Sequence, residues 1–403
     1  MATRPIVPRG DGEGSLGTSV KKWGNVFTEK INGMKPEELA GVTVATAPSY
    51  YQRESLATPA QTAITIHPTW LNINGTGYVK LEDTTINLNL TGSWDDDTYA
   101  VAANRKGRDV YIYATATADS ITPGFVLSLN STVPTGYTAD NSRKIGGFHC
   151  LCTDVGSITG HTLTGYVAGD ILPQSVWDLS FRAVSENAGM VYVPGIGKWV
   201  DIYLPSWQNG GMASVNGGTI VDGSSTPAIN GELAVEYFGL VGKELISRDE
   251  FIVAMAGSNQ GTNIYGSADP GTTGGHKDTA NRRMISNYGI EDGCGALYQW
   301  GRDQYETFYN AGGNATTFKG AYYASANDYY LSGYSWQQKP VFNSNIESTA
   351  KGQCDGLLRR VLLGAFWSHG AVCGSRAADC AVFSAHYGGS VSARGVSSLR
   401  RTA

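Results

Sequence analysis

The stretch Gly364 to Val396, GAFWSHGAVCGSRAADCAVFSAHYGGSVSARGV, constrains the fold more than any other part of the chain. Its glycines are too dense for a helix, since each costs about 1 kcal/mol relative to alanine in a helix interior. Its bulky residues follow neither the period of a helix nor that of a strand. It holds a single acid, Asp379, and two arginines, Arg376 and Arg394, with no lysine and no proline. It is neither a helix nor a simple strand, and the rest of the sequence must account for it.

Elsewhere the chain reads as folded, turn-rich and mostly β. Among 403 residues there are 52 Gly, 22 Tyr and 9 Trp, and only 16% are charged. Glycine breaks helices while Tyr, Thr and Val suit strands, and disordered chains show the reverse profile of high charge and few rings. The net charge of -5 argues against a nucleic-acid partner, because neutralising phosphates needs a basic face. The opening MATRPIVPRGDGEG has no apolar core of a signal peptide, and no run approaches the roughly 18 apolar residues of a membrane span. Neither secretion by signal nor membrane insertion is expected. Of the six cysteines, only Cys150 and Cys152 lie close, as C-x-C, which is not a common zinc spacing. Buried, reduced thiols and no cofactor are expected.

Three regions follow from the patterning. Residues 1–43 contain GSLGTSVKKWGNVFTEKING, too short for a core of its own and read as an attachment or trimerisation segment. Residues 44–169 carry only β signals. Ile86, Leu88 and Leu90 alternate with Asn, DVYIYATAT alternates again, and turn clusters such as NGTG and SWDDD lie between. Short strands at this spacing predict a β-sandwich. Residues 170–403 mix both kinds of element. SVWDLSFRAV reads as a short helix or turn, KWVDIYL as a strand and NGELAVEYFGLVGKEL as a helix. ISRDEFIVAMAG has a helix-start signature: Ser247 as N-cap, Glu250 as its capping-box partner, Ile246 stapling to Phe251, and Gly257 ending the helix. The expected class is α+β joined to all-β.

From SRDEF onward the last region resembles the C-type lectin fold, in the branch that includes formylglycine-generating-enzyme-like proteins. The resemblance rests on Asn287, Gly289, Ile290, Asp292, Gly295 and Trp300 in NYGIEDGCGALYQW, then LLGAFW, SRAA and ARGV. A narrower resemblance, carried by PTGYTADNSRKIGGFH, SVWDLSFR, WVDIYL, GSRAA and ARGV, is to the bacteriophage major tropism determinants. These are trimeric tail-fibre tip adhesins diversified by a retroelement. That resemblance implies a non-catalytic receptor-binding protein on the virion, at the tail-fibre tip. Its implied partners are a host-surface receptor, protein or glycan, and other tail proteins met through the N-terminal segment, in a homotrimer.

The resemblance also implies roles for the closing segment. Trp300, Trp367, Gly374, Arg376 and Arg394 would be scaffold. The ligand-facing, variable positions would be Phe366, Ser368, His369, Gly370, Val372, Asp379, Ala381, Val382, His386, Gly388, Ser390 and Val391. A ring-rich stretch, with Tyr322, Tyr323, Tyr329, Tyr330, Tyr334 and Trp336, has the composition of a paratope and forms a second candidate loop.

Two other functions compete. A structural collar or baseplate protein would share the fold without a receptor. A formylglycine-generating-type enzyme would need a reactive cysteine late in the chain, and Cys373 and Cys380 are the candidates there. The histidines show no helical pair suited to a metal, and no acidic cluster offers the six to eight oxygens calcium takes. SWDDD reads as a solvated turn.

Overall fold

The strand Asp109–Thr115 organises the N-terminal half. In DVYIYAT, Val110, Ile112 and Ala114 point to one face and Tyr111 and Tyr113 to the other. The strand lies between Gly124–Ser128 and Ser142–His149 in an antiparallel sheet, and Trp177–Asp178 adds a further edge beyond the latter. The structure is a computed structural model that describes residues 61–117, 121–306, 358–380 and 388–401, without the side chains of residues 305, 306, 358, 359 and 401. The N-terminal segment 1–43 and the second candidate loop lie outside the described residues.

Val110, Ile112 and Ala114 pack against Ile64, Ile66, Leu71, Ile73 and Ile86. These come from two smaller sheets, Ala63–Ile66 with Thr84–Asn87 and Thr69–Ile73 with Thr76–Lys80. The second is a hairpin turning at Asn74-Gly75, with φ of 47° and 84°, the pair of left-handed residues that a tight right-twisted hairpin requires. Sheet thus lies on sheet, as the alternating pattern predicts. The main sheet runs past the boundary expected at residue 169, because Trp177–Asp178 pairs with Gly146 and Gly147. SVWDLSFRAV is accordingly not a helix. It forms a 3-10 turn at Pro173–Ser175 and then the strands Trp177–Asp178 and Phe181–Ala183. The Asp178 carboxylate accepts from the backbone N–H of Ser180 and Phe181, both at 2.7 Å, and this local turn displaces helical bonding.

The other face of the sheet is buried too. Tyr111 and Tyr113 pack against Trp177, Ala183, Met190 and Trp199, so strands from both halves share this core.

Among the described residues, the C-terminal half holds two larger sheets beside the two-stranded pair of Pro205–Gln208 with Gly211–Ser214. In one, Met190–Val193, Lys198–Asp201, Gly395–Arg401 and Glu244–Leu245 follow in order, with Phe181–Ala183 also pairing to Gly395–Arg401. In the other, Ala378–Asp379, Leu358–Leu363, Tyr298–Glu306 and Val391–Ala393 follow in order, the last pair parallel. Two helices brace them. Gly231–Gly239 is capped by Asn230, whose side chain accepts from the N–H of Glu232 and Leu233. Arg248–Ala254 has the full capping box of Ser247 and Glu250, and Ile246 and Phe251 share one core cluster. That helix ends at Ala254, and Gly257 follows at a φ of 82°. No helix among the described residues is long and apolar enough to cross a membrane.

Candidate functional site

Beneath the closing segment lies a buried polar frame. The guanidinium of Arg394 is fully enclosed and donates to Gln299 Oε1 at 2.8 Å, to the carbonyls of Asp201 (2.8 Å) and Ile202 (2.9 Å), and to that of Glu291 (2.8 Å). Burial pushes its pKa down, to about 10, against the pull of Asp201 and other acids. Arg283 donates to both carboxylate oxygens of Glu291, at 2.7 and 2.9 Å. His276 meets Asp292 at 2.9 Å. Burial opposes the charge on His276, but the Asp292 carboxylate outweighs it and holds the imidazole above its usual pKa. These groups are enclosed yet paired, the condition under which charge is tolerated in a core.

The residues of the sequence motif serve the same frame. Ile290 and Trp300 are buried. Asp292 adopts a φ of 55° while its Oδ2 accepts from Gly274 N–H at 2.8 Å. Gly295, at a φ of 74°, leaves no room for a side chain, since a Cβ would come within 2.8 Å of the backbone of Thr262 and Asn263.

On this frame the chain leaves the strand Leu358–Leu363 at Gly364, whose φ is 83° and whose absent Cβ would lie 2.5 Å from the Gly293 carbonyl. Ala365 follows at a φ of 61°. The segment is then clamped through its backbone. The Trp367 carbonyl accepts from Asn263 Nδ2, the Cys373 carbonyl from Gly261 N–H at 2.7 Å, and Ser375 N–H donates to Gln260 Oε1 at 3.3 Å. Gly370–Val372 make one 3-10 turn, and Ala378–Asp379 return as a strand against Leu362 and Leu363. The half-buried Trp367 ring packs against Leu204, Ile220 and Leu297 on one side and Ile264, Met284 and Ala296 on the other.

Held this way, the segment turns several side chains outward. Ser368 and Val372 are exposed, and Phe366, His369 and Asp379 are half-buried. Phe366 stacks on Tyr298 with centroids 5.3 Å apart, and the His369 ring sits 4.2 Å from Phe366. The Tyr298 hydroxyl lies 3.2 Å from His369 Nδ1 and 3.5 Å from Asp379 Oδ2. Burial, followed by the Asp379 carboxylate, pushes the Tyr298 phenol up to about 12, so it stays protonated. The result is a preformed patch of three rings with an acid at its edge. It offers apolar area at low entropy cost together with directional polar groups.

Two expected roles are corrected. Val391 is not a surface position: it is 5% exposed, pairs in parallel with Tyr298 and packs with Trp300 and Leu362. The strand alternation forces this, because Val391 and Ala393 face the core. Arg376 is not an interior scaffold residue, for its side chain is exposed. Gly374 does meet its frame closely, since a Cβ there would lie 2.4 Å from Gln260 Oε1. Gly388 and Ser390 are half-buried and act through their backbone carbonyls, which accept from Gly223 and Tyr298 N–H at 3.2 and 3.0 Å. Ala381, Val382 and His386 lie outside the described residues. Tyr298, Gln260 and Asn263 were not anticipated. Tyr298 stands two residues before the motif tryptophan, and its ring at the start of a strand was the only signal available.

The cysteine chemistry of the enzyme alternative finds little support in the geometry. The Cys373 thiol is buried and donates to the Phe366 carbonyl at 3.6 Å. Burial pushes it up to about 11, the opposite of what a reactive thiolate needs.

Residues 54–178 match the family model of the Mtd second domain. The chain is 29% identical over 310 residues to the tail fiber receptor-binding protein of Bordetella phage BPP-1, covering 68% of this chain and 77% of that protein. Among solved structures it is similar to the Major Tropism Determinant U1 variant, with 24% identity, a TM-score of 0.63, and 87% of this chain and 85% of that chain covered. The M1 variant gives a TM-score of 0.64 at 23% identity over the same shares.

Proposed function

We propose that this chain, an Mtd-like protein with the fold of the major tropism determinants, is a non-catalytic receptor-binding protein of a phage or phage-like tail fibre. The observation that carries the reading is the contrast within the closing segment. Its backbone is fastened to a rigid polar core, while Phe366, Ser368, His369, Val372 and Asp379 are turned away from that core. Recognition surfaces are built this way, with preorganised rings at the centre and polar groups at the rim. The ligand is a receptor on the host-cell surface, protein or glycan. The working form is a homotrimer on the virion at the fibre tip, joined to other tail proteins through residues 1–43.

Purified protein carrying Phe366→Ala, His369→Ala and Asp379→Ala together should lose host-cell binding while keeping its unfolding free energy within about 1 kcal/mol. Unchanged binding by the folded triple variant would remove the closing segment from the receptor contact and leave the loop Tyr322 to Trp336 as the next surface to test. A collar or baseplate protein would show no cell binding before substitution. Light scattering on the purified chain tests the trimer.

A further inference from the structure

A second surface, sharing no residue with the closing segment, has the chemistry of a binding site. An open groove of about 640 Å³ lies where the loop Cys152–Ile158 faces Lys277–Arg283 and Lys106. Lys106, Lys277, Arg282 and Arg283 all line it. The only acid lining it is Asp154, whose Oδ1 is already occupied by Ala168 N–H at 2.8 Å. Arg283 is neutralised from behind by Glu291, but its enclosed Nε–H has no hydrogen-bond partner among the described residues. Lys106, Lys277 and Arg282 form no ion pair with a carboxylate among the described residues, although Lys277 Nζ donates to Asn281 Oδ1 at 3.1 Å and the Arg282 guanidinium to the carbonyls of Gly257 and Arg283. In a chain of net charge -5, this cluster runs against the overall field.

The Asp278 carboxylate accepts from Ala280 and Arg282 N–H, both at 2.9 Å, and the Asp278 N–H donates to the Arg282 carbonyl at 2.8 Å. This closes the turn that carries Lys277 and Arg282. Lys277 and Asn281 also line an adjoining hollow of about 510 Å³, where Tyr265 stands 72% exposed and where the one acid, Asp269, accepts from Gly271 N–H at 3.1 Å. Tyr265 N–H donates to the Lys277 carbonyl at 2.8 Å, which sets the backbones of the two residues side by side.

We infer that the two hollows form one site for an acidic saccharide. The carboxylate or phosphate of one residue would sit among Lys106, Lys277 and Arg282, and the apolar face of a neighbouring ring would lie on Tyr265. Charge-assisted bonds to the cation cluster supply the anion recognition, and an exposed phenol ring suits the C–H face of a pyranose. An isolated small anion would use the cations alone and leave Tyr265 without a role.

The test is calorimetric titration of the full chain with an oligogalacturonate, with its neutral methyl ester, and with inorganic phosphate. Saturable binding of the oligogalacturonate is expected, with the ester at least about tenfold weaker and affinity falling as salt rises. Lys106→Glu with Lys277→Glu should lower affinity by about a hundredfold, and Tyr265→Ala by about tenfold. Lys106→Gln with Lys277→Gln, isosteric at the surface, should lower it in the same direction and guards against misfolding of the charge reversal. Equal binding of the ester, or full affinity in both lysine variants, would overturn the site. Phosphate binding as tightly as the oligosaccharide, with Tyr265→Ala silent, would overturn the saccharide assignment.

Discussion

Arg394→Ala should be among the most damaging single changes in the chain. The side chain donates to four acceptors, and their fates differ when it is removed. The Ile202 carbonyl keeps a second donor, the N–H of Glu291 at 2.8 Å. Gln299 Oε1 and the carbonyls of Asp201 and Glu291 each lose the bond that Arg394 supplies. Leaving a buried acceptor unpaired costs about 1–3 kcal/mol, and removing one member of a buried charged set typically costs about 3–5 kcal/mol. Asp201 also loses a cation that helps keep its buried carboxyl ionised, although Lys243 at 2.6 Å remains. A loss of about 4 kcal/mol is therefore expected. Arg394→Lys should recover little, because one ammonium on a flexible stem cannot span acceptors fixed for a planar fork. Urea unfolding at a fixed protein concentration, followed by tryptophan fluorescence, measures this. A change within about 1 kcal/mol for Arg394→Ala would refute the view that this residue anchors the frame.

Trp367→Ala should destabilise by about 3 kcal/mol, while Ser368→Ala should stay within about 0.5 kcal/mol; equal costs would mean the two faces are misassigned. Tyr298→Phe removes the hydroxyl that meets His369 and Asp379, and should cost about 1 kcal/mol or less of stability while weakening host-cell binding measurably. Because the folded pKa of His276 is raised above 6.5, its contribution to stability is fully present below that pH and lost as pH rises through the folded value. The Asp292 carboxyl, whose burial is outweighed by His276, is lowered below 3.8, so its contribution appears above 3.8 and is lost as pH falls through the folded value. Thermal unfolding across pH 4 to 9 should show a decline on the alkaline side that His276→Gln flattens. Cys373→Ser should leave host-cell binding unchanged, as expected of a buried thiol outside the contact surface.

Local signals survived best. The capping box at Ser247 and Glu250, the alternation in Asp109–Thr115 and the turn at Asn74-Gly75 each depend on neighbours in sequence, and each was readable there. Signals that depend on distant partners were not. SVWDLSFRAV looks like a turn or helix until Gly146 and Gly147 supply a strand partner. Val391 reads as one more position in an irregular segment until its pairing with Tyr298 turns it inward. Arg376 and Arg394 look alike in sequence, yet one is exposed and the other fully enclosed, because only Arg394 meets four converging acceptors. The patch around Tyr298 joins residues 71 and 81 positions apart, beyond the reach of any periodicity.

The strand Gly395–Arg401 pairs on one side with Lys198–Asp201 and also with Glu244–Leu245 and Phe181–Ala183. It is translated only after the segment that turns Ser368 and Val372 outward. A frameshift or premature stop within Gly364–Ser390 therefore deletes the strand that joins three others, together with Arg394 and its four bonds. Such a chain cannot complete its core and would be lost to aggregation or proteolysis before it could be built into a particle. Placing the closing segment upstream of an indispensable strand makes completed folding a readout that the reading frame through that segment is intact.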